Sequence, residues 1–288
     1  MKNDMKTDDL FDQNTKNFMH MLHVLEECKD GGNLPTRELL SQFTTVTVEL
    51  RRIFLSRIVR QQTGGVVQSG LMKGYAIGDE VTWREQDDGV KLVGFYEREV
   101  CDVVQSLGTG RDILVDLGGA DGYYAVGLLA TGRVARSVCY ESEPHSRANI
   151  HAIARRNGVQ DRITVLGQAT RDFYGDLARL GVDLERTFII SDIEGGEFDV
   201  FSSDCLRALS RAHIIIELHH FNFDDSAEKL SALHERAREF FDIEFLRTGS
   251  RDPADIPLLQ SWNDSDRWLM CSESRGTLMN WMHLSPRT

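Results

Sequence analysis

The first sixty residues carry apolar side chains at helical spacing. One helix is predicted from Lys16 to Cys28, with apolar positions at Phe18, Met21, Leu22 and Leu25. A second helix is predicted to begin near Thr36 and to end at Gly64. Its apolar stripe consists of Leu39, Phe43, Val46, Leu50 and Ile53. Such a stripe fits packing within the chain or one half of a homodimer interface, so a homodimer through the N-terminal helices is one expectation.

Glycines interrupt residues 66 to 98, and no periodic pattern predicts an element there. From about residue 100, short apolar runs alternate with helical segments. Strands are predicted at 113–117, 134–140, 163–166, 188–190, 214–218, 242–247 and 267–272. Apolar strands separated by helices indicate an α/β fold with a mostly parallel sheet covered on both faces. The chain is therefore divided into a helical cap (1–98), which is expected to line an acceptor site, and an α/β domain (99–288).

The charge of the chain limits the class of partner. A formal net charge of -12 and a pI near 5.2 exclude nucleic-acid binding through the overall surface charge. The local basic residues Arg51, Arg52, Arg57 and Arg60 are interpreted as the solvated face of a helix.

The chain has no run of about 18 apolar residues, and thus no predicted membrane span. Its five cysteines are scattered and form no CxxC pair, so neither a disulfide framework nor a zinc site is predicted. These features together predict a cytoplasmic protein.

A glycine-rich turn follows the first predicted strand, in the segment Asp116-Leu-Gly118-Gly119-Ala120-Asp-Gly122. Glycines allow a ligand to approach the backbone, and the N-terminus of the following helix offers free N–H groups. The pattern is not GxGxxG, and an acid precedes the glycines. Asp116 would repel a pyrophosphate but would accept the amino group of an amino-acid cofactor. An ordinary strand–helix turn is the alternative.

The second and third predicted strands are each followed by a candidate cofactor-binding segment. Glu141 lies 23 residues after Gly118, the distance at which an acid accepts both ribose hydroxyls in Rossmann-like folds. Gln168 and Ala169 follow the third strand, where an adenine ring would lie.

Acids and a histidine follow the fourth and fifth strands. Asp192 and Glu194 come after the strand at 188–190, Glu217 lies within the strand at 214–218, and His219 follows it. Ligands bind at the carboxyl ends of strands in open α/β sheets. His219 is predicted to be a general base, and Asp192 and Glu194 are predicted to orient either His219 or the acceptor. Asp192 and Glu217 are also candidates to hold a divalent cation such as Mg²⁺. Trp83, Trp262 and Trp268 are candidates to stack on an acceptor.

These segments resemble the FkbM-type family of class I S-adenosylmethionine-dependent methyltransferases. The likeness begins at Gly94-Phe-Tyr-Glu97 and continues through VDLGGADGYYA, YESEPHSRANIHAIARRNGV and ITVLGQA to SDIEGGEFDVF and IIIELHH. It implies a Rossmann-like seven-stranded sheet and methyl transfer to a hydroxyl of a small molecule, such as a sugar or natural product. It also implies cofactor contacts, which are expected at Glu97, Asp116, Gly118, Gly119, Ala120, Gly122, Glu141, Gln168, Ala169 and Asp192.

The chain departs from the family pattern at two places, with Gly119-Ala120-Asp121-Gly122 for the usual Ala-Asn-x-Gly and Glu141-Ser142 for the usual Glu-Pro. Two alternatives stay open. One is a nicotinamide-dependent oxidoreductase, which shares the strand–glycine–helix–acid pattern. The other is a module that binds the cofactor without catalysis.

Overall fold

A computed structural model describes residues 7–32, 35–78 and 85–287. The chain divides into two compact units. The helical unit consists of Met1–Gly65, Trp83–Tyr96 and Arg251–Ser274, and the sheet unit of Val66–Thr82, Glu97–Ser250 and Arg275–Thr288. This differs from the predicted contiguous division at residue 98, because each unit is assembled from three segments that alternate along the chain.

The helices and strands are numbered in chain order. The helices are α1 (Thr7–Asp30), α2 (Arg37–Thr63), α3 (Glu85–Val93), α4 (Arg98–Ser106), α5 (Tyr123–Ala130), α6 (Pro144–Arg156), α7 (Phe173–Arg179), α8 (Glu197–Val200), α9 (Ser203–Ala208), α10 (Ser226–Ala237) and α11 (Asp264–Cys271). The strands are β1 (Ile113–Leu117), β2 (Arg136–Tyr140), β3 (Ile163–Leu166), β4 (Thr187–Ser191), β5 (His213–Glu217), β6 (Phe241–Arg247) and β7 (Asn280–Pro286).

The long helix α2 has the boundaries that the sequence predicted. The Thr36 side chain accepts the Leu39 N–H at 3.1 Å, and Gly64 ends the helix in the left-handed conformation. Within the apolar stripe, Val46 and Ile53 are buried, and the Phe43 ring lies 5.4 Å from that of Phe18 on α1. Part of the stripe is therefore covered by packing within the helical unit, and the homodimer stays a prediction.

Helix α3 lies where the sequence predicted irregular structure. The prediction missed it because its first turn is acidic and its charges are matched by arginines of α2. Three ion pairs join the two helices: Arg52–Asp87 at 2.8 Å, Arg57–Glu85 at 2.6 Å and Arg60–Asp88 at 2.5 Å. The interpretation of these arginines as a solvated face was therefore wrong for Arg52, which is buried, whereas Arg51 and Arg57 are exposed. Arg51 also has a partner, Asp266 of α11, at 2.5 Å.

The sheet unit contains seven strands in the order β3-β2-β1-β4-β5-β7-β6. The first five strands are parallel to one another, and β7 runs antiparallel to both β5 and β6. Strands β1 and β4 are buried along their whole length, as expected of parallel strands that are covered on both faces. The predicted α/β fold with a mostly parallel seven-stranded sheet is confirmed.

The strand predicted at 267–272 was wrong. This segment is helix α11, which begins where the Asn263 side chain accepts the Asp266 N–H at 3.0 Å. Asp264 and Asp266 in the first turn interact favourably with the helix dipole. The apolar run that follows them, however, resembles a strand. The last strand is instead β7 (Asn280–Pro286). None of the described helices has the length and apolar character of a membrane-spanning helix.

Candidate functional site

The register of the sheet brings the predicted site segments to one edge. Leu117 at the end of β1 pairs with Tyr140 of β2 and with Ser191 of β4, and Ser191 pairs with Ile216 of β5. The residues that follow these four strands therefore leave the sheet side by side. This is the carboxyl edge, where open α/β sheets bind ligands.

The glycine turn after β1 is tight because other parts of the sheet unit occupy the space. Gly118 has a φ of 93°, and an added Cβ would overlap the backbone carbonyl oxygen of Asp192. A Cβ on Gly119 would overlap the Cys139 sulfur. The packing of the chain itself thus requires these two glycines, in addition to any ligand contact. Ala120 adopts a φ of 43°, which a side chain disfavours.

Glu141 is fixed by the backbone of the two turns beside it. Its Oε2 accepts the Ala120 N–H at 2.7 Å, and its Oε1 accepts the Glu143 N–H at 2.7 Å. Glu141 is largely buried. A carboxylate oxygen accepts more than one hydrogen bond. Glu141 is therefore held in place while both oxygens keep the capacity to accept two neighbouring hydroxyls.

Asp116 lies within β1 and is only 3% exposed. Burial raises its pKa to about 8, and the nearby Asp192 and Glu141 add to this rise, while the Ala125 N–H opposes it. The side chain is therefore largely protonated at neutral pH. A cationic group bound beside it would favour the ionised form.

The segment after β3 lies beyond Leu166. Gln168 is exposed, and Ala169 is half-buried against the apolar core of the sheet unit. Of the aromatic candidates, Trp262 and Trp268 belong to the helical unit, and Trp268 is 47% exposed. Trp83 lies outside the described residues.

His219, Asp192 and Glu194 come together after β4 and β5, as the sequence predicted. The Nε2 atom of His219 lies 3.5 Å from Asp192 Oδ1 and 3.9 Å from Glu194 Oε2. His219 is buried, whereas the Glu194 side chain is half-exposed. Glu194 has a φ of 54°, a strained conformation of the kind that functional sites retain. These three side chains are close enough to contribute one ligand atom each to a metal ion.

Glu197 is a functional candidate that the sequence analysis did not identify. Its carboxylate is fully buried; Oε1 accepts the His219 backbone N–H at 2.7 Å, and Oε2 accepts the Gly195 N–H at 2.8 Å. Oε1 also lies 3.5 Å from His219 Nδ1. The sequence offered a simpler account, an acid in the first turn of a helix, which concealed this role.

The acids around His219 change its titration. Burial lowers the pKa of His219, but the adjacent Glu197 carboxylate and the charges of Asp192 and Glu194 outweigh burial, so the pKa is raised above 6.5. Its Nδ1 side thus faces Glu197, and its Nε2 side faces Asp192 and Glu194. A base oriented at one ring nitrogen and open at the other is the arrangement that proton abstraction needs.

A second group of acids lies on the other side of Asp192. Oxygen atoms of Asp192, Glu217 and Glu97 approach one another within 4.8 Å. Glu97 and Glu217 are almost completely buried. Burial, with the charges of Asp192 and Glu97, raises the pKa of Glu217 well above its usual range, and burial raises that of Asp192.

Arg275 completes this group and was not predicted. It donates to Glu217 Oε1 at 2.7 Å and to Glu97 Oε1 at 2.7 Å, while Glu97 Oε2 accepts the Tyr124 hydroxyl at 2.8 Å. Arg275 has no signal in the sequence, because nothing in the segment before β7 indicates that its side chain reaches the carboxyl edge of the sheet.

No protein-family model and no curated protein matches this sequence. Solved structures with partial similarity include an O-methyltransferase from Bacillus cereus in complex with S-adenosylhomocysteine (13% identity, 81% of this chain, 90% of that chain, TM-score 0.44). The METTL16 methyltransferase domain is similar over 84% of this chain and 81% of its own (15% identity, TM-score 0.49). A precorrin-6y C5,15-methyltransferase from Geobacter metallireducens is similar over 66% and 88% (9% identity, TM-score 0.40).

The order of the strands and the antiparallel strand β7 define the fold of the sheet unit. It is a Rossmann-like α/β fold with a mostly parallel seven-stranded sheet.

Proposed function

We propose that this chain is an S-adenosylmethionine-dependent methyltransferase that transfers the methyl group to a hydroxyl of a small molecule, such as a sugar or natural product. The observation that carries the proposal is the convergence of Asp192, Glu194 and His219 at the carboxyl ends of β4 and β5. This group lies beside the glycine turn, since Gly118 packs against the Asp192 backbone. The FkbM-type subgroup is the finer assignment that we propose.

The turn and the neighbouring strand ends would hold the cofactor. Glu141 would accept both ribose hydroxyls with the oxygen capacity that its backbone contacts leave. Asp116 would receive the amino group, and the segment at Gln168 and Ala169 would lie along the adenine ring. When bound, S-adenosylmethionine supplies an electrophilic methyl group on a sulfonium. The chain must then align the acceptor oxygen with that methyl group and remove a proton.

His219 would remove that proton. Glu197 accepts a hydrogen bond from the backbone N–H of His219 and lies beside its Nδ1 atom. Nε2 is therefore the ring nitrogen that would face the acceptor. Asp192 and Glu194 would position the hydroxyl, because their oxygens lie on the Nε2 side. An imidazolium formed in this step is stabilised by the surrounding acids.

A divalent cation held by Asp192 and Glu217 would lie beside the Arg275 guanidinium, which donates to Glu217 Oε1 and would repel a second positive charge. A cation bound to Asp192, Glu194 and His219 Nε2 would occupy the nitrogen that the base needs. The two roles of His219 thus exclude each other, and activity in the presence of a strong chelator separates them: full activity supports the base.

Calorimetric titration with S-adenosylhomocysteine tests the proposed cofactor. Wild type should bind it, and Glu141→Ala should weaken binding about 10- to 100-fold, because a charged hydrogen-bond acceptor is lost. Glu143→Ala is the matched control, because Glu143 is exposed and donates to Glu141 only through its backbone. Absence of binding would contradict the proposal. Binding of a nicotinamide cofactor would support the oxidoreductase instead, and cofactor binding without any hydroxyl acceptor would support the non-catalytic module.

A further inference from the structure

One guanidinium joins two buried carboxylates of the sheet unit. Glu97 precedes helix α4 and Glu217 ends β5, and each accepts a hydrogen bond from a different terminal nitrogen of Arg275 at 2.7 Å. Removal of one partner would leave a buried charge unpaired, which is costly. The arrangement therefore depends on Arg275 to keep both acids in place.

The same acids form a set that would suit a metal ion. Glu97, Asp192 and Glu217 offer three carboxylate oxygens within 4.8 Å of one another, and hard oxygen ligands of this kind bind Mg²⁺, Mn²⁺ or Ca²⁺. The cation at this place is the guanidinium. It donates to oxygens of two of the three acids, and its positive charge opposes the approach of a second cation.

We propose that Arg275 is the resident cation of this three-carboxylate group and takes the place that a divalent metal ion would otherwise fill. The inference deepens the proposed function, because it makes Arg275 a positioning residue for Glu97 and Glu217 and leaves proton removal to His219.

Arginine and a metal ion differ in what they do for an acceptor hydroxyl. A metal ion has open coordination positions that lower the pKa of a bound hydroxyl. A guanidinium stays charged, donates hydrogen bonds in one plane and offers no such position. Arg275 therefore balances the buried acids without polarising the acceptor. It also holds Glu97, whose φ of 42° is unusual for a residue with a side chain.

Manganese binding tests the inference by electron paramagnetic resonance, with neither cofactor nor acceptor present. The variants are Arg275→Met, Glu217→Gln, their double substitution, and Glu194→Gln, which reports on the separate group around His219. Wild type should show no Mn²⁺ binding that depends on Glu217. Arg275→Met should gain a Mn²⁺ site at least about tenfold tighter than any in wild type, because a repelling charge is removed. The gain should be lost in the double variant and retained with Glu194→Gln added.

Two outcomes would overturn the inference. One is Mn²⁺ binding to wild type that Glu217→Gln abolishes and Glu194→Gln does not. The other is a folded Arg275→Met variant that gains no Glu217-dependent site. If Arg275→Met does not fold, the comparison of wild type with Glu217→Gln still decides the first outcome. Because the readout is metal uptake, failure here is distinguishable from failure of the methyltransferase proposal, which rests on binding of S-adenosylhomocysteine.

Discussion

The buried carboxylate of Glu197 accepts the backbone N–H of His219 at 2.7 Å and lies 3.5 Å from the Nδ1 atom of the same residue. Glu197→Gln keeps the shape but removes the negative charge that raises the pKa of His219. We expect the pH midpoint of kcat to move down. Glu194→Gln is the control, and its shift should be smaller because Glu194 is half-exposed and 3.9 Å from Nε2. An unchanged midpoint in Glu197→Gln would argue against this role.

The rate of methyl transfer should depend on the protonation of His219. Its pKa is raised above 6.5, so the neutral base is scarce at low pH, and the rate should rise with pH and level off above that pKa. His219→Ala should lower kcat about 100- to 10,000-fold and remove this dependence. The neighbouring His220→Ala should retain both the rate and the pH profile. Near-normal turnover by His219→Ala would show that another group is the base.

Cofactor affinity should increase with pH because of Asp116. In the free protein this carboxyl has a pKa of about 8, and an amino group bound beside it requires the ionised form. Binding must therefore release a proton below pH 8, and the affinity for S-adenosylhomocysteine should rise as the pH approaches that value. Titrations in buffers of different ionisation enthalpy measure the proton release. Asp116→Asn should reduce it; equal release by both proteins would place the amino group elsewhere.

Gly118→Ala should destabilise the sheet unit. The added Cβ would overlap the Asp192 carbonyl oxygen, and the φ of 93° disfavours any side chain. Overpacking and backbone strain together should cost about 3 kcal/mol in the free energy of unfolding. Gly167→Ala is the matched control, because nothing lies within 4 Å of its added Cβ. Urea denaturation of both variants measures the difference, and similar stability would show that the turn readily moves away from β4.

The sequence predicted the parts of the site that depend on strand ends. Parallel strands bring their carboxyl ends to one edge, so residues that follow β4 and β5 had to meet, and Asp192, Glu194 and His219 do so. Arg275 and Glu97 lie far apart in the chain and meet only through the folded sheet unit. No local pattern predicts such a pair.

The errors in the predicted fold have a similar cause. The apolar run in α11 fits a strand as well as a helix, and only the Asn263 cap distinguishes the two. Helix α3 was missed because its acidic side chains form ion pairs with arginines of α2. The spacing of apolar residues carries no information about such ion pairs.

Arg52→Ala should destabilise the helical unit. The Arg52–Asp87 pair is buried on both sides, and loss of the guanidinium leaves a buried carboxylate without this partner. We expect a loss of about 3–5 kcal/mol in the free energy of unfolding. Arg51→Ala is the control on the same helix: its side chain is 47% exposed, so the loss should stay below about 1 kcal/mol. Equal losses, measured by thermal and urea unfolding, would mean that burial of the pair does not matter.

The position of β7 has a consequence for synthesis of the protein. β7 lies between β5 and β6 in the sheet, yet it follows both in the chain, and β6 pairs with no strand other than β7 in the described sheet. While the ribosome is still making the segment that contains α11, β6 has no strand to pair with and one edge of β5 stays open. Open strand edges favour association between chains. The nascent chain therefore remains exposed to association through β5 and β6 until β7 emerges.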